Sequence, residues 1–343
     1  MTRVWYNKSF SFVHAVITLI KQQDNAKEFT LIASHTQAQA RALLVADEAQ
    51  VEPSGLTGQK YLAWCLTFCR EQRIDVFVVG KEAQLLADYH EQFAAQGTRL
   101  MLVGDSATLK LLDDKSLFAQ HLPTNIAQLP ETISVNSAEA FEQAYASLRE
   151  RHPKVCVKPA ISVFGLGFRV IDEKHSCLHH ILKGDEYIVS LAELQLAMSQ
   201  QPTFSTLLVM EYLDGDEWSV DCVADNGRLW AAVQRKKGMS KGGVPSQLID
   251  NHADIAAMTE RLTAHLRLSG QFNVQFRAGK NGIKLLEINA RPSGGMAMAC
   301  LAGVNLPYMA LKGLVSGYER LHWPQPRTGI AVGEVSVAVE LPV

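Results

Sequence analysis

The segment GQFNVQFRAGKNGIKLLEINARPSGG, Gly270 to Gly295, sets oxygen-bearing side chains at alternating positions on two apolar runs. A hairpin closed by a three-residue loop at Lys280-Asn281-Gly282 places Gln275 opposite Glu287 and Asn273 opposite Asn289. Successive strand residues point to opposite faces, so these four share one face. Phe272, Val274, Phe276, Leu286 and Ile288 fall on the other, which reads as core. A row of carboxylate and amide oxygens suits Mg2+, a hard cation that takes few protein ligands and shares the rest with substrate phosphates. Arg291 follows two residues after Asn289, and its planar fork matches phosphate oxygens. A solvated hairpin face with one stray acid would not account for that arginine or for the Ser293-Gly294-Gly295 turn after it.

The elements that must carry this segment follow from periodicity. Residues 1 to about 105 alternate apolar runs (VWY near Val4, FTLIAS from Phe29, DVFVV from Asp75, RLMLV from Arg99) with helix-like stretches at about 9–23, 56–72 and 81–96. Strands separated by helices imply parallel βαβ units, with ligands expected at the strand carboxyl ends. The turn after the first strand, NKSFSF, lacks glycine, so a dinucleotide fingerprint is absent. From about 106 to 155 the chain turns helical and polar, breaks at Leu122-Pro123-Thr124, and predicts a helix near 137–151. KVCVKPAISVFGLGFRVI, Lys154 to Ile171, reads as an antiparallel hairpin around a Ser/Gly loop. A helix at about 190–201, the strands LLVMEYL, WSVDCVAD and RLWAAVQ, and a helix near 252–268 lead into the Gly270 segment. The ending IAVGEVSVAVELPV predicts one or two closing strands.

Composition bounds the function classes. At 343 residues the chain predicts two or three structural units, and 33 basic against 35 acidic side chains leave a net charge of -2. That balance carries neither a polyanion-binding footprint nor a disorder signature, so no nucleic-acid partner is expected. The six cysteines are dispersed without a CxxC pair, which fits reduced thiols and a cytoplasmic setting; Cys65 and Cys69, one helical turn apart, read as core thiols. FSFVHAVITLI, Phe10 to Ile20, is too short to span a bilayer, and no membrane partner is expected.

LLEINARPSGG resembles the last core strand of the ATP-grasp superfamily, which carries a Glu-x-Asn metal pair followed by an Arg. The preceding FNVQF is similar to the carbamoyl-phosphate synthetase and biotin carboxylase side of that superfamily, among the carboxylate-amine ligases. The resemblance covers about 106 to 320 in motif order, and 1 to 105 more loosely as the family's leading domain. It implies an α/β protein with an α+β grasp core. An N-terminal parallel α/β domain (1–105) precedes an ATP-grasp domain (106–320) of two α+β subdomains, with the small lid at about 155–210; 321–343 supply closing strands.

The same resemblance implies roles. Lys158, in VCVKP, and Lys115, in LLDDKSLF, would hold ATP phosphates; a lone lysine in an apolar strand is costly to bury unless an anion lies nearby. Ser162 through Gly167 stand where the family has a glycine-rich phosphate loop, with Gly165 and Gly167 permitting close backbone approach. Family loops usually hold more Gly and Ser than this one. The backbone of Glu211 and Leu213 would meet the adenine edge and Glu217 the ribose hydroxyls. Gln275, Glu287 and Asn289 would hold Mg2+, with Mn2+ as a substitute, and Arg291 with Lys158 would act in catalysis. Of the basic run Arg235, Lys236 and Lys237, Arg235 and Lys237 are candidate contacts to an anionic substrate. Ser293, Gly294 and Gly295 would shape the site beside Arg291, and Lys241-Gly242-Gly243 reads as a flap.

The implied activity is that of an ADP-forming ligase. A small-molecule carboxylate attacks the γ-phosphate of ATP to give an acylphosphate, which an amine or similar nucleophile, a thiol included, then captures. The alternatives are a carboxylase-like or kinase-like enzyme acting on bicarbonate or another small acid, and a nucleotide-binding regulatory protein without turnover. A carboxylase would need a separate carrier partner. Relatives in this superfamily are often homodimers, so the resemblance allows a homodimer by analogy and leaves the oligomeric state open.

Overall fold

The computed structural model describes residues 1–162, 165–176, 178, 182, 184, 187–241 and 244–335. It divides into two units. The first comprises Met1–Lys110, Asp216–Gln275 and Ile288–Val343, and the second Leu111–Gly215 and Phe276–Glu287.

In the first unit, β1 (Thr2–Tyr6), β2 (Phe29–His35), β3 (Glu48–Val51), β4 (Val76–Val78) and β5 (Arg99–Met101) form a parallel sheet in the order β3-β2-β1-β4-β5. The order reverses between β1 and β4. One face of β1, Val4 and Tyr6, packs with the helix Val13–Gln23. Val13, Val16, Ile17 and Ile20 recur there at the three- and four-residue spacing of a single helical stripe. Trp5 points to the other face, stacks on Phe77 at 4.0 Å, and joins Tyr61, Cys65, Phe68 and Cys69 of the helix Gly58–Glu71. Burial pushes both thiols up, Cys69 to about 12, which fits core cysteines. The strand β3 has no counterpart among the apolar runs. It reads Glu-Ala-Gln-Val, is exposed throughout, and lies at the sheet edge, where no buried face imposes alternation.

The second unit holds β6 (Thr132–Val135), β7 (Val155–Pro159), β8 (Arg169–Asp172), β9 (Ile188–Ser190) and β10 (Leu207–Glu211), in the order β6-β10-β7-β8-β9. β7 and β8 pair antiparallel, as the sequence of that hairpin requires. The helix Ala138–Arg149 starts at Ser137, whose hydroxyl accepts from Ala140 N–H, and lays Phe141, Ala144, Tyr145 and Leu148 on this sheet's core.

A third sheet runs β15-β14-β11-β12-β13-β16, built from β11 (Glu217–Asp225), β12 (Arg228–Lys241), β13 (Val244–Asp250), β14 (Gly270–Gly279), β15 (Gly282–Asn289) and β16 (Ala331–Gly333). β16 pairs with β13; residues 336–343, where further closing strand was expected, lie outside the described residues. The β14–β15 connection is Lys280-Asn281, two residues rather than three. The apolar face also departs from simple alternation: Phe272, Val274, Phe276 and Ile288 are buried as expected, but Leu285 is fully buried while Leu286 is only partly so. Leu285 N–H donates to Gln128 O at 2.8 Å, so chain from the same unit meets β15 at this point. Among the described residues no helix is long and apolar enough to cross a membrane.

Candidate active site

In the second unit two lysines and one carboxylate lie close together. Lys115 opens the helix Lys115–His121, which Asp114 caps by accepting from the N–H groups of Ser116 and Leu117. That cap and the bond from Lys115 N–H to Ala160 O at 3.2 Å fix the base of the side chain. Lys115 Nζ donates to Ser162 O at 2.9 Å and lies 3.8 Å from Glu287 Oε2. Lys158, on β7, is partly buried. Burial holds its ammonium below the ordinary lysine range; Glu287 acts against that shift and Lys115 with it. Two cations facing one carboxylate leave an excess positive charge in a desolvated place, and a polyanion would relieve it.

The loop after β7 has two glycines with left-handed backbone. Gly165 and Gly167 have φ of +68° and +80°, and a Cβ on Gly167 would meet the Pro159 ring at 2.8 Å. Val163 and Phe164 lie outside the described residues. Gly167→Ala combines backbone strain with a steric clash, so we expect MgADP affinity to fall by roughly tenfold or more, read by calorimetry, with little change in secondary structure.

Glu211 ends β10. Its N–H donates to Glu131 O at 3.0 Å, and Tyr212 N–H to Lys154 O at 3.1 Å. Leu213, the other residue expected at the adenine edge, is buried. The Glu211 carboxylate, itself buried, pairs with Lys284 and accepts from His152 Nδ1 at 3.1 Å; His152 Nε2 in turn lies 2.6 Å from Glu131 Oε2. Arg277 stacks on Tyr212, 5.2 Å from its ring, and donates to Gly215 O at 3.2 Å. Sequence reasoning missed Lys284, His152 and Arg277. Each is an ordinary polar residue without a motif, and only the β10 end they brace gives them a role.

In the first unit, one face of β11, β12 and β14 carries a polar row. Glu217 accepts from Lys237 Nζ at 2.5 Å, so the expected ribose contact is already paired with the expected substrate contact. Lys236 points to the other face, toward Asp216 at 2.6 Å and over the Trp218 ring. Arg235 corrects the sequence reading. It is 2 % exposed, and its Nε and Nη2 donate to Asp221 Oδ2 at 3.1 and 2.7 Å. Nη2 also reaches Ser219 Oγ at 3.1 Å and Ser293 Oγ at 2.7 Å, and Nη1 donates to Gln247. With nearly every N–H engaged, this arginine holds strands together rather than awaiting an anion, and Ser293 belongs to the same network. Gly295 packs against the guanidinium so closely that any Cβ there would collide with it; Gly294 is exposed with open space around it.

Asn273 Nδ2 donates to Ser219 Oγ at 2.9 Å and Val220 O at 3.0 Å, which turns its Oδ1 toward Gln275 Nε2 at 3.4 Å. This relay, assigned from the network, leaves Gln275 Oε1 as an acceptor for a cation. Arg291 Nη2 donates to Asn289 Oδ1 at 3.4 Å and Nη1 to Pro292 O at 3.0 Å, and the guanidinium lies 5.0 Å from the Phe10 ring centre. Gln275 and Asn289 fall in the first unit and Glu287 in the second, with the division running through the strands that bear them. Taken by chemistry alone, the Glu287 carboxylate and the amide oxygens of Gln275 and Asn289 are donor types that Mg2+ accepts. Among the described residues no group of three or more His, Cys, Asp or Glu gathers into an alternative centre. Lys241 is described only as strand backbone, and Gly242-Gly243 lie outside the described residues.

Known proteins resemble the chain in sequence and in fold. Residues 203–338 match a family model described as ATP-grasp in the biosynthetic pathway with Ter operon. The arginine-specific carbamoyl phosphate synthase large chain of Bacillus subtilis is 22% identical over 300 residues, 83% of this chain and 26% of that protein. The chain spans about a quarter or less of the length of the curated relatives it matches. Among solved structures, the biotin carboxylase domain dimer of Hydrogenobacter thermophilus 2-oxoglutarate carboxylase, in complex with MgADP, ADP and bicarbonate, is similar with a TM-score of 0.64 and 14% identity, covering 96% of this chain and 73% of that one. The L-amino acid ligase of Bacillus licheniformis is similar with a TM-score of 0.63 and 13% identity, covering 92% and 74%. The chain is thus similar to an ATP-grasp family over residues 203–338, and it shares the fold of these two solved structures over most of its length.

Proposed function

We propose that the chain is an ATP-dependent, ADP-forming ligase that activates a small-molecule carboxylate as an acylphosphate and transfers the acyl group to an amine. The observation that carries this is the Lys115, Lys158 and Glu287 cluster, a cationic pair steadied by one carboxylate. A carboxylate oxygen bonds to the γ-phosphorus while the β,γ-bridging oxygen departs with ADP. Lys158 and Lys115 neutralise the charge that collects on the departing phosphates, the larger part of the work in phosphoryl transfer. A Mg2+ held by Glu287, Gln275 and Asn289 would supply further charge neutralisation. Arg291, fixed over Phe10 and by Asn289, offers the acylphosphate a bidentate fork. The amine nitrogen then bonds to the acyl carbon, loses a proton, and inorganic phosphate leaves.

The nature of the acid has two readings. Bicarbonate accords with the carbamoyl phosphate synthase relative and the biotin carboxylase neighbour; an amino acid accords with the amino acid ligase neighbour. A screen of ADP release with bicarbonate, pooled amino acids and pooled small carboxylates, each with and without amines or thiols, separates them. We expect ADP to appear only with the right acid, and the Glu287→Ala variant to release it at least about 100-fold more slowly. Release that persists in Glu287→Ala contradicts the proposal.

A further inference from the structure

The leading sheet brings together residues that the ligase reading leaves unused. Asn7 and Lys8 follow β1, His35 ends β2, Glu52 follows β3, and Gly80 and Lys81 lie just past β4. All these strands run parallel, so the residues share the carboxyl edge, and β1 and β4 flank the point where strand order reverses. Open α/β sheets bind ligands in the crevice at such a reversal.

The Asn7–Ser9 loop is pinned from several sides. Lys8 N–H donates to Glu52 Oε1 at 2.6 Å, and Lys8 O accepts from Lys81 N–H at 3.0 Å. Asn7 Oδ1 accepts from Gly80 N–H at 2.6 Å, while its Nδ2 donates to Tyr61 OH at 2.9 Å. A Cβ on Gly80 would fall 2.6 Å from Ser9 Cβ and 2.9 Å from Lys8 O, so only glycine allows this approach. Glu52 is 2 % exposed and also accepts from Ser34 Oγ at 2.8 Å and Tyr61 OH at 3.2 Å. The buried carboxylate therefore holds the Lys8 backbone, not its ammonium. Lys81 differs: its Nζ donates to Leu56 O at 2.5 Å and sits over the Tyr61 ring.

His35 completes the set. Its Nδ1 accepts from Gln37 N–H at 3.0 Å, which leaves the proton on Nε2 as a donor. Burial and the Lys8 ammonium hold its pKa below the usual range, with Glu52 opposing. Among the described residues nothing hydrogen-bonds to His35 Nε2 or pairs with Lys8 Nζ. Lys8, partly buried on an immobilised loop, and His35, at the neighbouring strand end with its N–H fixed, offer the paired donors that suit an oxyanion. Two residues beyond Lys8, Phe10 carries the Arg291 guanidinium, so the loop links this edge to the group assigned to the acylphosphate.

We propose that Lys8 and His35 hold a carboxylate or phosphate group of the nucleophile-bearing substrate, positioning its amine for transfer. This rests on the ligase reading only for the word nucleophile; the oxyanion site stands by itself. The test is histidine-ring NMR on the full chain with MgADP present. Inorganic phosphate and acetate are titrated separately, and His35→Gln assigns the resonance. We expect one or both anions to raise the His35 pKa by about one unit. In Lys8→Gln the anion-free pKa should already be higher, because the repelling charge is gone, and anion affinity should fall about tenfold or more. A response to phosphate alone identifies a phosphate-bearing acceptor, and a response to acetate a carboxylate-bearing one. A His35 titration unmoved by either anion, or equal affinities in parent and Lys8→Gln, overturns the proposal. If His35 responds while no acid elicits ADP, the oxyanion site stands and the ligase reading falls. If ADP forms while His35 is silent, the reverse holds.

Discussion

A Lys158→Met variant is expected to form ADP roughly 10²- to 10³-fold more slowly than the parent, the effect of removing one preorganised cation from a phosphoryl-transfer site. Its stability should move the other way. Lys158 lies partly buried with its pKa depressed by burial, so in the nucleotide-free chain the ammonium is a cost that Glu287 offsets only in part. Methionine keeps the length of the side chain and removes that cost. Thermal unfolding without nucleotide should therefore occur at an equal or higher temperature, while the rise produced by MgADP should shrink with the lost affinity. A structural lysine would give the opposite pair of results: a lower Tm and unchanged turnover per folded molecule. Residues that oppose stability in the empty protein and favour the bound state are what a binding site demands.

Arg235→Leu should behave in the contrary way. Its guanidinium and the fully buried Asp221 form an ion pair inside a network with Ser219, Ser293 and Gln247. Removing the arginine leaves Asp221 charged and buried, which costs about 3–5 kcal/mol. For a chain of this size that corresponds to a Tm lower by roughly 5–15 °C, read by calorimetry. The Arg235→Leu/Asp221→Leu double variant should lose much less than the sum of the singles, because neither charge is then stranded. A stable Arg235→Leu protein with only a raised KM would restore the substrate role that the residue type suggested.

These two residues show what the sequence conveys and what it does not. Lys158, Glu287, Asn289 and Arg291 stand out in the sequence because short motifs fix their local spacing, and a strand's alternation is a property of the chain itself. Arg235 was misjudged because its partners lie 14 residues away on β11, 12 away on β13 and 58 away beyond β15, so its saturation is purely tertiary. Lys8 and His35 were invisible for the same reason: parallel order and a two-sided connection bring strand ends together that are distant in the chain. The leading sheet was readable wherever both faces are buried, as in β1 and β2, and not at β3, where neither is. The hairpin loop is one residue shorter than the spacing predicts, because the last bonded residue at a tight turn is set by local hydrogen bonding rather than by residue type.

The most direct test of the account is a crystal structure of the chain grown with MgADP. We predict the β-phosphate within hydrogen-bonding distance of both Lys158 Nζ and Lys115 Nζ, with Mg2+ about 2.1 Å from a Glu287 carboxylate oxygen. Nucleotide bound elsewhere, or bound with both ammonium groups and the Glu287 carboxylate turned to solvent, would contradict it.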